Sequence, residues 1–202
     1  MDNIKEELAG VAKGFYERGW SLATSSNFSA VYGDSGVLIT VSGKDKGALS
    51  KDDFILIDRK GNALETEKGR SSAETELHLY IYQNYPDTKS VLHTHSKYAT
   101  AISMVKKKHV KFMGFEMQKA FPEIKTHLEE VKIPIFENSQ DMKDIQKQLN
   151  NYKDKKNLFA CIIRGHGVYA WGRSIAEAKK IIEAIEFLLE CNFILLNSKK
   201  GG

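Results

Sequence analysis

A chain of 202 residues, 42% apolar and 28% charged, has enough material for one hydrophobic core and too little for two, and its composition is not that of a disordered segment. We therefore expect a single domain over residues 1–202. The formal net charge of +4 is spread along the chain apart from the short runs Lys106–Lys108 and Lys153–Lys156. A nucleic-acid binder would gather its excess charge on one face, so these runs read as solvated turns.

The opening Met1–Glu7 is charged and lacks the apolar centre of a signal peptide. Ile4, Leu8, Val11, Ala12 and Phe15 then recur at helical spacing, predicting an amphipathic helix over 3–18 that Gly19 ends. Three β-prone runs follow at 28–32, 37–41 and 54–58, separated and followed by glycine-bearing turns, as in a meander. Helical spacing returns over 73–85 and closes at Pro86. A strand at 90–95, a helix at 98–105, a strand at 133–136, a helix at 141–152 and a strand at 158–163 come next, with 168–171 forming the second arm of a hairpin. The last helix begins at a capping box of Ser174 and Glu177 and runs to about Asn197.

The end of that helix carries Leu188, Leu189, Phe193, Ile194, Leu195 and Leu196 on more than one face, which suits a subunit interface. Its apolar stretch is interrupted by Glu186, Glu190 and Asn192 and is too short to span a bilayer. Cys161 and Cys191 stand in apolar stretches, as free thiols of a reducing compartment do, so a cytoplasmic location is expected. The pattern as a whole predicts an α/β fold with helices covering a mainly antiparallel sheet.

The chemistry centres on histidine. In Val91-Leu92-His93-Thr94-His95, alternation along a strand sends both imidazoles to one face, where they can share a metal ion. Two half-buried histidines bonded to neighbours satisfy the same pattern equally well. His166 stands between Gly165 and Gly167, where the backbone can turn sharply, and supplies a third nitrogen of the kind a catalytic zinc with one open position uses. His78, His109 and His127 lack such partners and read as surface or helix-face residues.

Three segments offer hydroxyls and turn amides to a phosphate: Thr24-Ser25-Ser26-Asn27, Ser42-Gly43-Lys44 and Arg70-Ser71-Ser72. Each is equally a turn or an N-cap. Ser71-Ser72 is favoured because a helix start follows. Glu74 is open to three roles: metal ligand, acid–base group or dipole-complementing surface residue. Glu116, flanked by Phe115 and Met117, would have a raised pKa suited to proton transfer if buried, although spacing alone does not select it.

Taken together, these stretches resemble the class II aldolase family, zinc-dependent enzymes that stabilise enediolates of phosphorylated sugars. The likeness rests on Gly19-Trp20 with Ala23–Ser29, Ser42–Gly47, Ser72–Thr75, His93–Ser96, Glu116–Ala120, Pro134–Asn138 and Arg164–Gly172, in order across nearly the whole chain. Within the family it leans to the dehydratase branch, which removes water from a methylthio-bearing sugar phosphate. The resemblance implies a three-layer α/β/α sandwich, a homotetramer with active sites between subunits, and one zinc ion per subunit on His93, His95 and His166. It implies Glu116 as the catalytic acid–base and a phosphate near Ser25, Ser26, Asn27, Ser42, Gly43, Lys44 and Ser72. It leaves Glu74 as a metal contact or an acid–base group. Other readings of the same residues are a sugar-phosphate aldolase or epimerase, and a non-catalytic binding module on the same fold.

Overall fold

The computed structural model describes residues 1–34, 36–64 and 69–198. Eight strands form one sheet in the order β3-β2-β1-β4-β8-β7-β6-β5. They are β1 (Asn27–Tyr32), β2 (Gly36–Thr40), β3 (Phe54–Ile57), β4 (Ser90–Thr94), β5 (His109–Phe112), β6 (Val131–Phe136), β7 (Ala160–Ile163) and β8 (Gly167–Gly172). Among the described residues only the β6–β7 pair is parallel and every other pair is antiparallel, as the sequence pattern predicts.

Side-chain alternation divides the interior into two cores. Leu92, Ala160, Ile162, Val168 and Ala170 point to one face, where helices α1 (Asp2–Glu17), α3 (Lys97–Val105) and α5 (Ile175–Ser198) cover them with Leu8, Phe15, Ile102, Ile181 and Ile185. Val91, Cys161, Ile163, Tyr169 and Trp171 point to the other, under α2 (Thr75–Asn84) and α4 (Met142–Asn151) with Leu77, Ile81, Ile145 and Leu149. The result is the expected three-layer α/β/α sandwich.

The structure departs from the sequence reading in three places. Strand β5 is not anticipated: after three lysines, only Val110 and Phe112 face inward, too few turns of the period to register. Strand β4 stops at Thr94, so His95 lies just beyond it, its N–H donating to the Trp20 carbonyl at 2.7 Å. The α5 cap also differs, because Glu177 accepts from the Arg173 N–H at 2.6 Å while its own N–H donates to Ser174 Oγ at 3.0 Å. Cys161 and Cys191 are both free thiols.

Candidate metal centre

Antiparallel pairing brings the centre together. Asn27 of β1 stands opposite His93 of β4, which stands opposite Tyr169 of β8, so all three side chains occupy the α2 face of the sheet. His93 is fully buried, with its ring stacked on Tyr169 at 3.9 Å between centroids. The β7–β8 hairpin delivers His166 through a turn in which Gly165 holds φ +63°, a conformation glycine adopts without steric cost. Gly167 permits the approach itself. A Cβ there would lie 1.8 Å from the Thr94 carbonyl oxygen, so only glycine lets the hairpin close on β4.

His166 Nε2 lies 3.1 Å from His95 Nε2 and 3.3 Å from His93 Nε2, and Glu74 Oε1 lies 3.0 Å from His166 Nε2. Ligand atoms of Glu74, His93, His95 and His166 all fall within 4.8 Å of one another. Nitrogens held tetrahedrally at zinc distances stand about 3.3 Å apart, so the spacing fits a shared ion. Protonation agrees. His93 Nδ1 donates to the Val168 carbonyl at 2.9 Å, which leaves the Nε2 lone pair facing the other imidazoles. Burial holds His93 well below the usual histidine range and lowers His95 to about 4, with His166 pushing the same way on each, so both are neutral donors at pH 7. Burial alone would raise the Glu74 carboxyl, but His93, His166 and Asn27 together hold it below the ordinary carboxylate range.

The other sequence candidates divide. Ser72 Oγ accepts from the Glu74 N–H at 3.2 Å, at the start of α2. Ser42 donates its N–H to the Arg70 carbonyl, which sets the Ser42-Gly43 turn beside the Ser71-Ser72 segment, and Gly43 holds φ +75°. Ser26 is buried with φ +73° and an unpartnered hydroxyl, and Thr75 Oγ1 is likewise buried and unpartnered. Ser25 Oγ donates to the Leu22 carbonyl. Lys44 is turned away to pair with Asp53 at 3.0 Å.

Glu116 does not meet the condition of burial on which a raised pKa depended. Its side chain is 69% exposed, bonded to Lys119 at 2.9 Å, and that hydrogen bond lowers its pKa rather than raising it. It is not among the residues gathered with the three histidines.

Two residues escaped the sequence reading. Lys46 is buried and donates to the Thr24 and Lys44 carbonyls, and its charge is felt at both Glu74 and His95. His78, read as a surface or helix-face residue, is completely buried beside Asn27. The available signal was spacing: Glu74, His78 and Tyr82 recur every fourth residue on one stripe of α2.

The model of the class II aldolase and adducin N-terminal domain family matches residues 6–193. The chain belongs to this family. It is 44% identical over 197 residues to a methylthioribulose-1-phosphate dehydratase of Stenotrophomonas maltophilia strain R551-3, covering 96% of this chain and 88% of that protein. Identity to the protein of the same name from Pseudomonas savastanoi pv. phaseolicola is 43%, covering 94% of each chain. Among solved structures, the L-fuculose-1-phosphate aldolase of Thermus thermophilus superposes with a TM-score of 0.79 at 21% identity, over 97% of this chain and 95% of that one. A sugar-phosphate aldolase of Thermotoga maritima gives 0.70 at 19%, over 96% and 95%. The fold is thus that of the family, and its metal dependence agrees with the four donor groups in this chain.

Proposed function

We propose that this protein is a hydro-lyase that removes water from 5-methylthioribulose 1-phosphate, giving 2,3-diketo-5-methylthiopentyl 1-phosphate in methionine salvage. The observation that carries the reading is identity of 41–44% to methylthioribulose-1-phosphate dehydratases over nearly the whole chain. The donor cluster supports it with the chemistry such a reaction requires.

His93, His95 and His166 would hold one zinc ion, the metal that three imidazoles with an open position favour, and Glu74 stands beside them as ligand or acid–base group. When bound, the ion would supply Lewis-acid polarisation of substrate oxygens. The residues of the chain do the rest. Ser26, Ser42, Gly43 and Ser72, with Ser25 at the edge, offer hydroxyls and turn amides to the phosphate, and the unpartnered Ser26 hydroxyl is the kind of group an anion satisfies. Lys44 is paired with Asp53, and the Asn27 amide is bonded to Glu74 and His78 beside the metal centre.

Glu116 serves as the proton-transfer group that lets the C4 hydroxyl leave as water. Its exposure, outside the cluster of His93, His95 and His166 in its own subunit, is what a residue serving a neighbouring subunit's centre requires. Assembly into a homotetramer is supported by the exposed apolar residues Phe187, Phe193, Ile194, Leu195 and Leu196 at the end of α5. No helix among the described residues is long and apolar enough to cross a membrane, in keeping with a cytoplasmic enzyme.

The test is turnover of 5-methylthioribulose 1-phosphate by purified protein, followed by mass spectrometry with and without a chelator. Metal-dependent loss of one water supports the reading. Carbon–carbon cleavage in its place would reassign the protein to the family's aldolases.

A further inference from the structure

A run of buried polar side chains leads away from the metal centre beneath α2. Asn27 Nδ2 donates to Glu74 Oε2, His78 Nε2 stands 2.5 Å from Asn27 Oδ1, and His78 Nδ1 stands 2.7 Å from Ser29 Oγ. Tyr82 Oη stands 2.7 Å from Ser29 Oγ. Asn27, Ser29, His78 and Tyr82 are all buried, with Ser29 and His78 wholly so. Two periods produce this arrangement. Asn27 and Ser29 are alternate residues on the α2 face of β1, and Glu74, His78 and Tyr82 are every fourth residue along the facing stripe of α2.

The proton positions can be deduced from one end. A carboxylate only accepts, so Asn27 must present its NH₂ group to Glu74 and its oxygen to His78. That oxygen accepts, so His78 must carry its proton on Nε2. The Nδ1 lone pair then accepts from the Ser29 hydroxyl, whose proton is thereby used, and the serine oxygen accepts from Tyr82. Burial lowers the His78 pKa to about 4, so the ring is neutral, as this order of bonds needs.

We infer that Tyr82, Ser29, His78 and Asn27 form a one-way chain of donors that ends on Glu74 and fixes its carboxylate at the metal centre, with His78 as the central positioning residue. Every bond in the chain points toward Glu74, and bonds aligned in one sense polarise one another. The chain leaves one Glu74 oxygen, Oε2, held by the protein and the other, Oε1, turned to His166 and His93. Partners behind a metal centre orient the groups that face it, and their loss typically weakens metal binding by about 10- to 100-fold. The inference takes Glu74's place at the metal from the proposed function.

The first arm of the test needs no variant. Long-range ¹H–¹⁵N spectra of metal-free protein labelled at histidine should show His78 as a single neutral tautomer protonated on Nε2. A ring protonated on Nδ1 would overturn the inference. The second arm measures zinc affinity by competition with a fluorescent chelator. Ser29→Ala removes one oxygen from the middle of the chain and should weaken zinc binding about tenfold in the native background. In a Glu74→Gln background the same substitution should add nothing, because the chain acts through Glu74. Equal weakening in both backgrounds would overturn the inference. Zinc affinity unchanged by Glu74→Gln alone would instead exclude Glu74 as a ligand and overturn the chain's action on the metal, while the proposed dehydration, tested separately by turnover, would stand.

Discussion

Thr94, the residue between two of the clustered histidines, donates its hydroxyl to Glu186 Oε1 at 2.9 Å on the side of β4 opposite the His93 ring. Glu186 sits in the middle of α5 and is almost completely buried. The bond ties the longest helix of the fold to the strand that carries His93, at the level of the metal centre.

Glu186 gives the first prediction. Burial raises its carboxyl from 4.5 to about 7, against the opposing effect of the Ser96 and Thr94 hydroxyls. Between those values the unfolded chain has released the proton and the folded one has kept it, so this group's contribution to stability falls as pH rises. It levels off above about pH 7, and the full change is about 3 kcal/mol. His78 and His95, lowered to about 4, act in the opposite sense over part of the same window. The native protein alone therefore does not isolate the effect. In Glu186→Gln the carboxyl is gone, so the stability difference between variant and native protein should grow in the variant's favour from pH 4.5 to 7. Urea unfolding at a series of pH values measures it, and a difference independent of pH would refute the assignment.

Gly167 gives the second. Gly167→Ala would press a methyl group against the Thr94 carbonyl, which is backbone and cannot turn aside, so β8 or β4 must shift. A loss of at least about 2 kcal/mol is expected, together with weaker metal retention, because both strands carry the centre. At Gly10, in α1, a Cβ would meet nothing within 4 Å beyond its own turn of helix. Gly10→Ala should therefore stabilise the protein by about 0.5–1 kcal/mol. Denaturant midpoints of the two variants check both signs at once.

The contrast between these glycines shows what the sequence disclosed. Gly165-His166-Gly167 was legible as a tight turn carrying an imidazole, and His93-Thr94-His95 as a pair whose rings can share one ion, because both depend on local spacing. Helices covering a mainly antiparallel sheet followed from helical and strand periods for the same reason, whereas the three layers came from the family resemblance. The burial of His78 against Asn27 was not legible because it depends on how α2 packs on β1, a non-local fact. Burial of Glu116 stayed open because apolar neighbours in sequence do not determine which way a side chain faces in a short 3₁₀ turn. Lys44 and Lys46 show the same limit: two residues apart, one pairs with Asp53 at the surface and the other is buried between two loops.

Removal of the metal should abolish turnover and leave the fold. The three histidines are set by strands and a hairpin within large apolar cores, unlike a small domain that folds only around its ion. Far-ultraviolet circular dichroism after chelation should match that of the untreated protein, while metal analysis falls from one ion per subunit to none. His166→Ala should mimic the chelated state in both respects. Unfolding on chelation would mean that the ion is structural.

Glu116→Gln separates proton transfer from metal binding. The residue lies outside the donor cluster, so zinc content should stay at one per subunit. Because Glu116 is exposed and its partners Lys119 and His127 are at the surface, stability should change by no more than about 0.5 kcal/mol. Turnover should fall by about 10²- to 10⁴-fold, the range for loss of a general acid–base group, with little change in KM. If Glu116 acts in a neighbouring subunit, mixing Glu116→Gln with the inactive His166→Ala variant under conditions of subunit exchange should restore part of the activity. Each parent lacks a different half of the centre, and a mixed interface joins an intact metal site to an intact Glu116. No recovery in demonstrably mixed oligomers would place Glu116 and the histidines it serves in the same subunit.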